Sequence, residues 1–304
     1  MNAPLVSIVT VNYDHPEVTC ALLDSLRKIT YPNIELWVVD NASPNDDPSI
    51  IEERFPEVQL LRSPINLGFA GGNNLAVKQA KGDYILFINN DTEVEASFLE
   101  PLVEAFLADS NIGAISPKIK YFDKPDTLQF TGQAPMNPWT MRSHGYGWGQ
   151  VDAGQFDTDR KTNFVHGAAM MVPKKVIQQV GMMAEVYFLY YEELDWGSRI
   201  REAGFDLWYN HLSVVYHKES ISTGKLSPLR TYYMNRSRWL YLRRNIDGAT
   251  FWFALLFQIF ISIPKNTLVF GLKRQWKHLS SYWKALFWHL NHWNDASIHA
   301  QPEL

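Results

Sequence analysis

Tyr84-Ile85-Leu86-Phe87-Ile88-Asn89-Asn90-Asp91-Thr92 is a run of β-favouring apolar residues that stops abruptly at two amides and a carboxylate. Such a run reads as a buried strand whose end delivers polar side chains to a cleft. A hard carboxylate in that place suits Mg²⁺ or Mn²⁺, which prefer oxygen ligands and usually share them with substrate phosphates. The competing reading makes the turn a cap for a helix expected to begin near Ser97. The rest of the chain decides between the two.

Toward the N-terminus the same pattern recurs. Val6-Ser7-Ile8-Val9-Thr10-Val11 runs into Asn12-Tyr13, and Ile34-Glu35-Leu36-Trp37-Val38-Val39 runs into Asp40-Asn41. Helical patterns at 18–28, 50–55 and 69–80 and a short strand at 58–61 fill the intervals, and Pro16 suits the first turn of the first helix. Strands alternating with helices at this spacing predict an α/β fold, a mostly parallel sheet flanked by helices. Ligands in such sheets bind at the carboxyl ends of strands, so polar strand ends at Asn12-Tyr13, Asp40-Asn41 and Asn89-Asn90-Asp91 mark a pocket.

Toward the C-terminus, residues 133–161 are rich in Gly, Pro, Trp and His and read as a lid or binding loop. A strand over 164–172 follows. A helix then opens at Glu192-Glu193-Leu194-Asp195-Trp196 and stops at Gly204, before short strands at 207–209 and 214–217. Three acids within four residues exceed what a helix N-terminus uses, and their repulsion raises the pKa of at least one.

The 304 residues, 46% hydrophobic and 20% charged, suit a domain over 1–222 with an extension over 223–304. The single Cys20 excludes an internal disulfide, and no secretory leader is expected, because Met1-Asn2-Ala3-Pro4 runs straight into a strand pattern. Between Lys225 and His289 stand eleven Lys and Arg against Asp247 alone, a local +10 that leaves −14 for the rest of a chain totalling −4. Something anionic is therefore expected near the tail. The apolar run 251–263 is short for a bilayer span of about 20 residues, and Pro264-Lys265 is read as its end. Trp276, Trp283 and Trp288, interleaved with Arg274, Lys277, His278 and Lys284, read as an interfacial amphipathic helix. The alternative is a helical bundle packed on the domain over 1–222 or forming a homodimer. No nucleic-acid motif accompanies the basic residues.

Several of these segments together strongly resemble glycosyltransferase family 2. They are Val38-Val39-Asp40-Asn41-Ala42-Ser43, Asn66-Leu67-Gly68-Phe69-Ala70-Gly71-Gly72-Asn73-Asn74, Ile88-Asn89-Asn90-Asp91, His166-Gly167-Ala168-Ala169, Tyr190-Tyr191-Glu192-Glu193-Leu194-Asp195 and Tyr216-His217. The resemblance covers about Val6 to His217 and has the flavour of bacterial rhamnosyltransferases of cell-wall and O-antigen synthesis. It implies a GT-A (Rossmann-like) fold, inversion, Mg²⁺ or Mn²⁺, a nucleotide-diphosphate sugar donor and a helical, membrane-associating C-terminal extension. It implies nucleotide binding by Asn12, Tyr13, Asp40, Asn41, Asn66, Gly71 and Asn90, with Asp40 accepting from the base imide N–H. Gly68, Gly71 and Gly72 would let backbone N–H groups approach the nucleotide. It implies metal contacts from Asp91, the last acid of a DxD motif whose first position here is Asn89, and from His217. The general base matches Glu193, usually an aspartate, with Asp195 as a second candidate. His166, Gly167, Trp196 and Arg236 are expected toward the acceptor, and Arg236, Arg238, Arg243 and Arg244 toward its diphosphate.

The reading is an inverting transferase moving L-rhamnose from dTDP-L-rhamnose onto a polyprenyl-diphosphate-linked glycan, cytoplasmic and peripheral on the inner face of the cell membrane. One alternative keeps the enzyme with a UDP-linked galactofuranose, galactose or N-acetylglucosamine. The other is a non-catalytic, membrane-associated glycan-binding protein, supported by the departures at Asn89 and Glu193.

Overall fold

The computed structural model describes residues 3–218 and 227–304; the domain division expected at 222/223 lies outside the described residues. Its strands are β1 (Val6–Asn12), β2 (Ile34–Asp40), β3 (Gln59–Arg62), β4 (Tyr84–Ile88), β5 (Thr92–Val94), β6 (Ile112–Tyr121), β7 (Lys124–Phe130), β8 (Arg160–Thr162), β9 (Ala169–Pro173) and β10 (Asp206–His217). They form one sheet in the order β3-β2-β1-β4-β9-β6-β10-β5, with β7 on β6 and β8 on β10. The helices are α1 (Pro16–Leu26), α2 (Ser49–Arg54), α3 (Gly68–Val77), α4 (Leu99–Ala108), α5 (Lys174–Val180), α6 (Glu192–Glu202), α7 (Pro228–Asn245), α8 (Gly248–Phe257), α9 (Ile263–Leu272) and α10 (Trp276–Asn291).

The alternating first half gives the parallel strands β3-β2-β1-β4, as its pattern predicts. Beyond β4 the sheet is mixed, because β9 enters antiparallel between β4 and β6. Alternation along each strand feeds both faces of the sheet. Ile8 and Leu86 join a core that includes Leu22, Leu23, Phe98 and Leu102. Their neighbours Val9 and Phe87 join a second core with Ala70, Met170, Ile177 and Trp196.

Three local expectations change. The strand over 164–172 shortens to β9, since Phe164 to Ala168 form a turn. The two strands expected at 207–209 and 214–217 are one, β10, with a register break between Asn210 and Val214. The β6–β7 hairpin went unanticipated, because Gly113 and Pro117 argue against a strand. Gly113 is required there: a Cβ would lie 2.5 Å from Ile200 and from Phe205.

The C-terminal helices pack on this body through α7, which lies against α6 and carries α10 on its other side. The joint is electrostatic. Asp195, 1% exposed, accepts from the Tyr187 hydroxyl (3.0 Å), Arg199 Nε (3.0 Å), Arg244 Nε (2.8 Å) and Asn245 Nδ2 (2.9 Å). Burial alone would raise its pKa, but the Arg244 and Arg199 guanidiniums hold it below the usual carboxylate value.

Pro264-Lys265 does not end the apolar helix. A π-helical segment, Gln258–Ser262, joins α8 to α9, and the helix runs for 25 residues from Gly248 to Leu272. The wide turn absorbs the missing N–H and the ring clash that Pro264 would impose on a tight helix. By length and composition this helix could cross a membrane, and only 11% of its most apolar stretch is buried in the protein. Trp252, Phe253, Phe260, Leu268 and Leu272 are exposed. The tryptophan-rich α10, by contrast, buries Tyr282, Ala285, Leu286 and His289, so that face packs on the protein rather than standing free.

Asp195→Ala leaves buried Arg199 and Arg244 uncompensated and is expected to lower the unfolding free energy by about 3–5 kcal/mol in urea denaturation.

Candidate active site

The carboxyl ends of β1 and β4 open into a cavity of about 850 Å³. Its wall takes Tyr13, Asn41 and Asn66 from the first half, Asn89, Asn90 and Asp91 from the turn after β4, and His166 and Gly167 from the turn before β9. Glu192 and Glu193 enter from the start of α6, His217 from the end of β10, and Tyr233, Met234 and Arg238 from α7.

Sheet pairing creates the Asp91–His217 contact. After Asp91 the chain turns into β5, which pairs antiparallel with β10 so that Thr92 stands opposite His217. His217 Nε2 then lies 3.1 Å from Asp91 Oδ1, with both residues buried. The other imidazole nitrogen, Nδ1, lies 2.9 Å from Gln129 Oε1. An amide oxygen only accepts, so Nδ1 carries a proton, and in the neutral ring Nε2 presents its lone pair toward Asp91. Nε2 has no hydrogen-bond partner among the described residues. A lone pair held beside a carboxylate oxygen is the arrangement a divalent cation satisfies, and the Gln129 bond is the outer support metal-bound imidazoles commonly have. Asp91 and His217 therefore fit as two ligands. Among the described residues no group of three or more His, Cys, Asp or Glu gathers, so a bound cation would draw further oxygens from elsewhere, phosphate included. The cap reading of Asp91 fails, since α4 begins only at Leu99 and takes no side-chain cap.

Glu193 reaches the cavity behind a strained turn. Phe188, Tyr190 and Tyr191 have φ of 64°, 65° and 75°, a left-handed conformation costly for aromatic residues. The turn is braced from three sides. Phe188 stacks on Tyr233 with centroids 5.0 Å apart, its carbonyl accepts from Phe69 N–H at 2.7 Å, and the Tyr191 hydroxyl donates to Met141 O at 2.9 Å. Gly68, at φ +70°, is what lets that carbonyl approach, because any Cβ there would collide with it. Burial pushes the Glu193 carboxyl up to about 7, and burial together with the neighbouring Glu193 charge drives Glu192 well above the usual range. Gly167 makes room for the acid, its absent Cβ lying 3.3 Å from Glu193 Oε1. His166, packed between Phe130 and Phe164, is pushed down to about 3 by burial and by His217, and so stays neutral.

Of the other expected residues, Asn12, Asp40 and Gly71 are near the cavity without lining it, while Asn41 and Asn90 are in its wall. Asn12 and Asp40 stand behind the wall, joined at 2.9 Å, with Ser43 Oγ donating to Asp40 and Thr19 Oγ1 to Asn12. Asn90 Nδ2 donates to Thr19 Oγ1 at 3.1 Å, which links this network to the Asp91 turn. Asn41 holds the Gly-rich turn through Gly68 O and Leu67 N. Gly71 serves close packing against Leu67.

Three expectations are corrected. Asp195 is taken up by Arg199 and Arg244 and lies outside the cavity wall. Trp196 is a core residue, donating to Gly181 O at 2.8 Å and standing edge-on to Phe87. Arg236 points inward to the carbonyls of Val186 and Tyr187 and packs over Tyr233 and Trp288, each at 5.0 Å. Arg243 and Arg244 are likewise spent on internal contacts, which leaves Arg238 as the one of the four expected arginines in the wall. Sequence reasoning missed Gln129 and Arg142. The first sits on the unanticipated hairpin, and the second in the 133–161 loop, where nothing singled out one residue.

A mixed sheet with its cavity at the strand ends, an acid–imidazole pair beneath it and a poised glutamate define a GT-A glycosyltransferase. The sequence profile of Glycosyl transferase family 2 matches residues 7–181, over half of the chain, and the chain belongs to that family. It is 24% identical over 270 residues to the N-acetylglucosaminyl-diphospho-decaprenol L-rhamnosyltransferase of Mycobacterium tuberculosis, covering 80% of this chain and 86% of the relative. Over 108 residues, 35% of this chain and 43% of the relative, it is 33% identical to an Escherichia coli UDP-Glc:alpha-D-GlcNAc-diphosphoundecaprenol beta-1,3-glucosyltransferase. The fold matches the Pyrobaculum calidifontis mannosyltransferase solved with GDP-Man and Mn²⁺. That match has a TM-score of 0.58 at 16% identity, over 97% of this chain and 89% of that one.

Gln129→Leu removes the acceptor that fixes the His217 tautomer. Calorimetric titration is expected to show Mn²⁺-dependent binding of a nucleoside diphosphate weakened about 10–100-fold, with metal-free binding unchanged. An unaltered metal dependence would remove His217 from the ligand set.

Proposed function

We propose that this enzyme transfers a sugar from a nucleoside-diphosphate donor to a hydroxyl of a lipid-linked glycan, with inversion, and that Glu193 is the general base. One observation carries the reading: the half-buried Glu193 carboxyl, pushed up to about 7 by its surroundings, shares a cavity with the Asp91–His217 pair. Glu193 would take the proton of the acceptor hydroxyl as that oxygen attacks the anomeric carbon and the diphosphate departs. Glu192, pushed toward its neutral form, would keep a second negative charge away from that reaction. When bound by Asp91 and His217, Mg²⁺ or Mn²⁺ would neutralise charge on the departing diphosphate. Asn89, in place of an acid, lowers the charge of the site, so metal is expected to bind tightly only with the donor.

For the donor we favour dTDP-L-rhamnose, on the 270-residue similarity to an L-rhamnosyltransferase. A UDP-linked hexose is the second reading, favoured by the similarity to a UDP-Glc-dependent relative. Both relatives act on acceptors carrying a polyprenyl diphosphate, which supports the same acceptor class here. We further propose that the exposed helix Gly248–Leu272 rests in a membrane surface, rimmed by exposed Lys265, Lys273, Arg274 and Lys277.

A panel of nucleotide sugars scored for nucleotide release, with and without Mg²⁺ or Mn²⁺, tests the donor assignment. In that assay kcat is expected to climb as pH rises through about 7, because only ionised Glu193 accepts a proton. Glu193→Gln should lose about 10²–10⁴-fold in kcat while still binding donor; a fully active variant would assign the base elsewhere. Phe260→Asp with Leu268→Asp should leave the protein in the supernatant when anionic phospholipid vesicles sediment the native chain.

A further inference from the structure

The transferase reading leaves one part of the cavity wall without a task. Arg142, from the 133–161 loop, and Arg238, from α7, both line it. They stand close enough that the charge of Arg238 is the leading cause depressing the Arg142 pKa. Neither forms an ion pair with an Asp or Glu among the described residues. Arg238 donates only to neutral oxygens, the Tyr191 hydroxyl at 3.1 Å and Asn235 Oδ1 at 3.2 Å. Arg199 and Arg244 are compensated by Asp195, and Arg236 is bound by carbonyls. Two like charges facing one cavity repel, and a bound anion relieves that repulsion.

The surroundings specify what the anion is attached to. Met136 and Met141 line the cavity on the same loop as Arg142. That loop is seated on the apolar helix: Gln258 Nε2 donates to Trp139 O at 2.9 Å, and the Trp139 and Phe253 rings lie 5.7 Å apart. One loop thus joins the arginine pair and the methionines of the cavity wall to the exposed apolar helix. An occupant suited to both has dense negative charge at the head of a long hydrocarbon chain.

Building on the acceptor reading above, we propose that Arg142 and Arg238 clamp the diphosphate of the lipid-linked acceptor, its chain directed toward the side of the loop that packs on the helix Gly248–Leu272. The same phosphate chemistry is offered by an anionic phospholipid headgroup and by the nucleotide donor, and the test separates the three.

The full chain in detergent is titrated with farnesyl diphosphate in EDTA, with phosphatidylglycerol micelles, and with a nucleoside diphosphate plus Mg²⁺. Arg142→Gln and Arg238→Gln are each expected to weaken farnesyl diphosphate binding about tenfold or more, with Arg142→Lys recovering part of it. Nucleoside diphosphate affinity should hold, which also reports that the variants are folded. Equal loss for the nucleotide would assign the pair to the donor, and equal loss for phosphatidylglycerol to general membrane charge; either overturns the clamp. Native protein that turns over donor but does not bind farnesyl diphosphate overturns the clamp and leaves the transferase reading standing.

Discussion

A carboxylate shut away from water has to be compensated, and the compensation of Asp195 sets much of this structure. Arg199 on its own helix, and Arg244 and Asn245 at the end of α7, converge on it. The α-helix turns about 100° per residue, so fixing Asp195 inward rotates Glu193, two positions earlier, to the far side of α6. That side faces the cavity. The same bonds draw α7 against α6, and α7 brings Tyr233, Met234 and Arg238 to the wall. The ion cluster is thus the joint between the strand-helix body and the C-terminal helices, and it also aims the acid.

The three acids opening α6 show how neighbours override residue type. Asp195 sits among guanidiniums and is held ionised. Glu192, buried, and Glu193, half-buried at the cavity, meet no compensating cation of that strength and are driven toward their neutral forms. Within one helical turn the fold makes a structural anion and a titratable acid. The strained Phe188, Tyr190 and Tyr191 lead directly into this turn of helix.

Much of this was legible in the chain, and what was hidden was hidden for physical reasons. The parallel half could be read because strand and helix periods alternate without interruption. The antiparallel strands could not, because β6 carries Gly113 and Pro117, and β10 reads as two fragments across its register break. The place of Asp91, His217 and Glu193 in the cavity wall was legible because each lies at or beside the end of an element, where the chain itself dictates direction. Asp195, Trp196 and Arg236 were misplaced toward the substrate because their type and spacing suit a pocket as well as an interior. The packing of α7 against α6 and the Val186-Tyr187 turn directs Asp195 and Arg236 inward, and Phe87 and the Gly181 carbonyl hold Trp196 in the core. The same holds for Pro264: a proline after an apolar run reads as a stop unless the preceding turn is known to widen.

That widened turn has a further meaning. Gln258 is a buried amide in a largely exposed apolar helix, and it fastens the backbone of the 133–161 loop to that helix. Loop and helix therefore shift as one body, and free energy spent displacing either is felt by the other. Linkage of this kind is reciprocal: an occupant that orders the loop tightens the seating of the helix, and whatever embraces the helix preorganises the loop. No separate regulatory pocket is needed for such a protein to respond to its surroundings. Whatever covers the exposed helix would act on the loop, and through it on the cavity wall.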